Sequence, residues 1–186
     1  MMEKDERSTN FCSIVKDDFL QYYRENHTLK SKIGSTIYVL LEPGFWAVFN
    51  HRIAHWLFLK NLGILALFIM RLNKFFHNVD ISYEAKIGKA LRLPHCMDIV
   101  IGSSAIIGDN VEILNGVTLG AVKIRTEGKR HPTIGGGVLI GAGAKVLGDI
   151  YIGNNSIIGA NAVVIDSFPE NVKVGGIPAK EIGKVL

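Results

Sequence analysis

Two histidines in this chain stand where a proton can be moved. His95 lies in "LRLPHCMDIVIG" (residues 91–102), between Pro94 and Cys96 in a run of aliphatics. His131 closes the basic string "GKRH", directly after Lys129 and Arg130. Imidazole titrates near neutrality, so either ring suits general-base work on a hydroxyl or thiol. A carboxylate on the far ring nitrogen fixes the tautomer and stabilises the imidazolium. Asp80, fifteen residues before His95, is a carboxylate of that kind. Arg130 offers a planar fork that can hold a carboxylate through two hydrogen bonds. From residue types alone, His95 remains a packed core histidine, a ligand or a base.

Other pairings are weaker. His51 and His55, spaced i, i+4, resemble metal ligands but have no acidic or cysteine companions, so they read as helix packing and no metal is expected. Cys96 reads as a small core residue. Cys12 and Cys96 are far apart without a CxxC spacing, which argues against a disulfide framework and for a reducing, cytoplasmic compartment. The charged start "MMEKDERSTN" is followed by no signal-type core. A formal charge of +4 without a basic run or basic-aromatic stripe gives no reason to expect nucleic acid.

Two textures must position these residues. Residues 1–78 read as helical. "FCSIVKDDFLQYY" is amphipathic, and a second helical run follows the breaker "EPG" (residues 42–44), divided near Gly63 into two packed helices. The apolar stretch from Ile53 to Met70 is interrupted by His55, Lys60 and Asn61, so it reads as a buried or oligomer-forming helix, with membrane contact at most peripheral. In residues 79–186, aliphatic or alanine positions recur every six residues. They run from Ile81 through Ile87, Leu93, Ile99, Ala105 and Val111 to Val117, and resume from Ile134 to Val164. That repeat, with glycines beside several anchors, predicts a left-handed parallel β-helix from about Val79 to Val174. The fold class is therefore mainly β with an N-terminal α-helical segment. The seventeen-residue gap before Ile134 predicts a loop extruded from the coil, carrying His131.

Several segments bear a family likeness: "HRIAHWL", "VDIS", "AKIGKALRLPHCMDIVIG", "VTLG", "GKRHPTIGGGVLIGAGAKVLG" and "VGGIPAK". From about Gly44 to Lys180 the chain resembles the serine acetyltransferases, hexapeptide-repeat acyltransferases that move acetyl from acetyl-CoA to the serine hydroxyl without a metal. The resemblance implies His95 as the catalytic histidine, Asp80 as its partner and His131 with Arg130 as the second site pair. It implies acetyl-CoA as co-substrate, lying along Gly120, Ala121, Gly141, Ala142 and Ala160, with Lys180 and Lys145 available to the CoA phosphates. It also implies homotrimers, or dimers of trimers, in which a neighbouring prism completes each site.

The chain departs from that pattern at the acceptor. The family's aspartate before the catalytic histidine is Pro94 here, no "DP" pair precedes "EPGF", and "GET" reads "GSS" at 102–104. Those carboxylates hold the substrate ammonium, and Asp98 is the substitute candidate. The expectation is an acetyl-CoA O-acetyltransferase, with serine as acceptor or, alternatively, a sugar hydroxyl of a surface polysaccharide. A non-catalytic scaffold is disfavoured by the retained Asp80, His95 and His131.

Overall fold

The computed structural model describes residues 11–24, 31–122 and 128–185. Residues 1–10 and 25–30, within the stretch expected to be helical, and residues 123–127, within the expected extruded loop, lie outside the described residues. Four helices precede the coil: α1 (Phe11–Arg24), α2 (Lys32–Leu41), α3 (Pro43–Leu59) and α4 (Gly63–His77). The "EPG" breaker serves as a junction. Glu42 ends α2, and Pro43 opens α3 at the first turn, where a missing N–H costs nothing. Helix α2 falls in the stretch expected to be helical, though it was not singled out there; Ser31 caps it by accepting the Gly34 N–H at 3.0 Å. The apolar run from Ile53 is split between α3 and α4 around Lys60–Leu62, so it forms no long helix. No helix among the described residues is long and apolar enough to cross a membrane.

Helix α1 is locked to the first coil by buried polar groups. Asp18 receives Arg52 Nε at 2.9 Å and Nη2 at 3.1 Å, and Arg52 also donates to the carbonyls of Ile87 and Gly88, each at 2.6 Å. Tyr22, one turn on, accepts the Leu93 N–H at 2.8 Å. His51 is buried with its ring stacked 5.8 Å from that of His55, and His55 donates to the Tyr83 carbonyl at 2.8 Å, so both serve packing. The outer sides of α2 and α4 expose Ile33, Leu41, Ile64, Phe68, Phe75 and Phe76.

The remainder is a left-handed β-helix of short parallel strands: β1 (Val79–Ile81), β2 (Lys86–Ile87), β3 (Ile99–Ile101), β4 (Ile106–Ile107), β5 (Glu112–Ile113), β6 (Thr118–Gly120) and β7 (Thr133–Ile134). There follow β8 (Leu139–Ile140), β9 (Lys145–Leu147), β10 (Tyr151–Ile152), β11 (Ile157–Ile158), β12 (Val163–Val164), β13 (Val172–Gly176) and β14 (Ala179–Lys184). The first face stacks β1, β3, β6, β9 and β12; the second stacks β2, β4, β7 and β10; the third stacks β5, β8, β11 and β13. β14 folds back antiparallel on β13 and ends the third face.

The expected anchors fill the prism, all at most 2% exposed except Ile87, which is half-buried. Their unbroken phase, however, hides a slip. Val100 pairs with Thr118, eighteen residues on, whereas Val79 pairs with Ile99 and Arg92 with Glu112, each twenty on. Two extra residues therefore lie between Arg92 and Val100. Ile81 and Ile87 stack on Ile101 and Ile107, not on Ile99 and Ala105. Each side of the prism points two residues inward, two positions apart, so a two-residue insertion moves the count from one inward column to the other. The six-residue rhythm survives although the coil has been enlarged. The insertion falls on Pro94–Asp98. Across the extruded loop, Ile106 pairs with Thr133, twenty-seven on, which is nine more than a plain coil.

Candidate active site

The enlarged corner leads into the first face, and it carries His95. Both His95 (φ 52°) and Asp98 (φ 53°) adopt the left-handed conformation, which costs a side-chain-bearing residue energy and persists only where its surroundings impose it. The Asp98 N–H donates to the Asn78 carbonyl at 2.8 Å, tying the corner to the left-handed cap of α4. Cys96 is the inward anchor, with Sγ 3.9 Å from the His77 carbonyl; burial, then Glu42, pushes its thiol up to about 12, so it is no nucleophile near neutrality. The His95 side chain is exposed and makes no hydrogen bond among the described residues. The Asp98 side chain is exposed on the same corner.

Arg130 and His131 sit at the opposite edge of the first face, where the chain turns toward the second. The three residues of β3 separate the two corners, a width of roughly 10 Å. Here a cavity of about 330 Å³ is lined by Asp80, Ser82, Tyr83, Gly102, Arg130 and His131, with Arg71 of α4 at its side. His131 is 7% exposed. Burial, then Arg130 and Lys129, hold its imidazole below the ordinary histidine range. Its ring lies flat over Gly102, where a Cβ would fall 2.0 Å from Cδ2 and Nε2, so only glycine fits. Lys129 braces the segment, donating to the His131 carbonyl at 2.5 Å and to Asp149 at 2.6 Å.

The expected dyad is not formed. Asp80 stands on the outer side of β1, between the two corners, but its carboxylate takes Lys74 Nζ of α4 at 2.5 Å instead of His95. That partner was missed, since nothing in "RLNKFF" marks Lys74 as facing the coil. Both ends are about half exposed, 50% and 49%. Ser104 was also missed as a site residue; "GSS" registered only as a departure from "GET", yet Ser104 contacts both Arg130 and His131.

The residues expected along acetyl-CoA divide between the edges. Gly141, Ala142 and Ala160 stack on the His95 side, Ala142 bonding the Asn161 N–H at 2.8 Å, whereas Gly120 and Ala121 lie on the His131 side. Lys145, between them on β9, donates to the Gly116 carbonyl at 2.5 Å and to Thr118 Oγ1 at 3.2 Å, so its ammonium is already engaged within the prism. Lys180 is exposed on β14.

Comparison with known proteins agrees with this geometry. Residues 131–166 match the family model described as bacterial transferase hexapeptide (six repeats). A protein of Mycobacterium tuberculosis strain H37Rv named serine acetyltransferase is 46% identical over 142 residues, covering 76% of this chain and 62% of that protein. The chain thus spans less than two thirds of that relative's length. Another of the same name, from Staphylococcus epidermidis strain RP62A, is 42% identical over 164 residues, 88% of this chain and 75% of that one. The crystal structure of the Brucella abortus strain S19 serine acetyltransferase in complex with coenzyme A superposes with a TM-score of 0.87 at 37% identity, over 95% of this chain and 69% of that one. With that identity extending across the enlarged corner and the His131 edge, the chain belongs to the serine acetyltransferase family of hexapeptide-repeat acyltransferases.

Proposed function

We propose that this chain transfers the acetyl group of acetyl-CoA to the hydroxyl of L-serine, with His95 as general base. The observation that carries this reading is the enlarged corner, which spends two extra residues and, at His95, one left-handed residue beyond the one that the plain corners carry at Gly116, Gly143 and Asn161, to present an exposed imidazole beside the first face. His95 takes the proton of the acceptor hydroxyl as its oxygen attacks the thioester carbonyl carbon. The tetrahedral intermediate then collapses, the carbon–sulfur bond breaks, and the imidazolium returns the proton to the departing CoA thiolate. Arg130 and His131 receive the acceptor carboxylate at the other edge, which orients the hydroxyl back toward His95. Asp80 orients the His95 ring once Lys74 releases it; a half-exposed ion pair is worth only ~0–1 kcal/mol, so the exchange costs little. Acetyl-CoA follows the small residues on the edges of the first face, and Lys180 is the lysine available to its phosphates.

The first face is open in a single chain, so a homotrimer in which the next prism roofs it is part of the proposal. The exposed side of α4 can join two such trimers. The two free thiols fit a cytoplasmic setting. The test is a thiol-release assay with acetyl-CoA and L-serine beside light scattering. His95→Ala should lose about 10²–10⁴-fold in turnover with acetyl-CoA affinity unchanged. Wild-type turnover by this variant would make His95 structural, and an active monomer would remove the roof.

A second acceptor reading rests on the charge of the cavity. Among the described residues its only carboxylate, Asp80, is tied to Lys74, while Arg71, Arg130 and the His131 ring line the walls, and Pro94 supplies nothing for an ammonium. That lining favours an anionic hydroxyl acceptor without a free amine, such as an acidic sugar. Assaying acidic and neutral sugars beside L-serine separates the two. Saturation by serine at sub-millimolar concentration overturns the sugar reading, and turnover on carbohydrate alone overturns the serine reading.

A further inference from the structure

Ser104 makes four hydrogen bonds to the Arg130–His131 segment, and their directions are set by chemistry. Its Oγ accepts the backbone N–H of Arg130 at 3.0 Å and that of His131 at 3.1 Å. Those two bonds occupy both lone pairs of the hydroxyl, so its own proton is left to donate. It points at His131 Nδ1, 2.8 Å away. The Ser104 backbone N–H donates to the same nitrogen at 3.2 Å. Two donors converging on Nδ1 leave no place for a proton there.

We propose that Ser104 is a positioning residue that holds His131 in the Nε2–H tautomer, so that its ring meets the acceptor as a hydrogen-bond donor and not as a base. A neutral imidazole without a proton on Nδ1 carries it on Nε2. The Nε2 edge is the one that lies over Gly102 at the cavity. Burial and the neighbouring Arg130 and Lys129 oppose a second proton on the ring, in keeping with a neutral donor. The two histidines thereby receive different work. His95, without a hydrogen-bond partner among the described residues, is free to take a proton, while His131 has only one to give. The donor's role toward an acceptor rests on the acetyl-transfer reading, but the tautomer does not.

The test is nitrogen-15 NMR of the histidine rings in the full chain, with Ser104→Ala and Ser104→Thr beside wild type, followed by acceptor kinetics. Wild-type His131 should show its proton on Nε2 near neutral pH. Ser104→Ala should make the other tautomer detectable and raise the acceptor KM roughly five- to ten-fold, the worth of one lost hydrogen bond, with kcat less affected. Ser104→Thr keeps the hydroxyl and should restore both. The wild-type spectrum decides even if the alanine variant fails to fold: a proton on Nδ1, or a charged ring, overturns the proposal. So does an alanine variant that matches wild type in tautomer and KM. If the tautomer is as stated while no acceptor is acetylated, the proposal for Ser104 stands and the functional reading falls.

Discussion

Gly102→Ala is the smallest change that probes the His131 edge. A Cβ at this position would lie 2.0 Å from both Cδ2 and Nε2 of the ring, against the 3.4 Å at which ordinary contact begins. The ring must retreat by the difference, about 1.4 Å, or the backbone must shift by a similar amount. The Nδ1 bonds to Ser104, at 2.8 and 3.2 Å, do not survive a displacement of that size. Losing two net hydrogen bonds costs ~1–3 kcal/mol. If both serve the acceptor complex, kcat/KM should fall roughly 5- to 150-fold. The assay is thiol release with the acceptor varied at saturating acetyl-CoA, beside a melting curve to confirm that the prism is intact. The loss should sit in the acceptor terms, with acetyl-CoA affinity less affected, because the three atoms nearest the added Cβ all belong to the His131 ring. Wild-type kinetics in a folded Gly102→Ala protein would mean that His131 does not serve the acceptor from the position described, and the reasoning would fail.

Three other outcomes are expected. Lys74→Met frees Asp80 to turn to His95, so turnover should hold or rise; a tenfold or greater drop would show that Lys74 itself supports the site. Arg52→Met leaves Asp18 buried without its counter-charge and should cost about 3–5 kcal/mol in denaturant unfolding, detaching α1 from the coil; a loss under ~1 kcal/mol would refute the clamp. Burial holds His51 well below its usual range, and His131 is lowered too, so near pH ~6.5 and below the unfolded chain binds more protons than the folded one. Stability is then complete above the ordinary histidine value and lost as pH falls through it. Melting temperature should decline between about pH 7.5 and pH 5.5, and His51→Leu should flatten that decline; an unchanged slope would exonerate His51.

The repeat, the left-handed prism and the helical start were legible in the sequence because a coil three short sides long must bury an aliphatic at every side, and burial writes itself as a period. The same logic concealed the enlarged corner. Inward positions come in pairs two apart, so inserting two residues at Pro94–Asp98 preserved the count from Ile81 to Val117 while changing which residues stack. Residue type and family likeness singled out His95, Asp80, Arg130 and His131, but neither could say what each side chain touches. Coil closure brings Ser104 to His131, twenty-seven residues away, and the missing Cβ of Gly102 lets the ring lie there. Lys74 on α4 reaches Asp80 first, a competition between neighbours that depends on how the last helix packs against β1. Period follows from burial and is local to the chain. Partnership follows from which surfaces the closed coil sets face to face, and only the tertiary structure decides that.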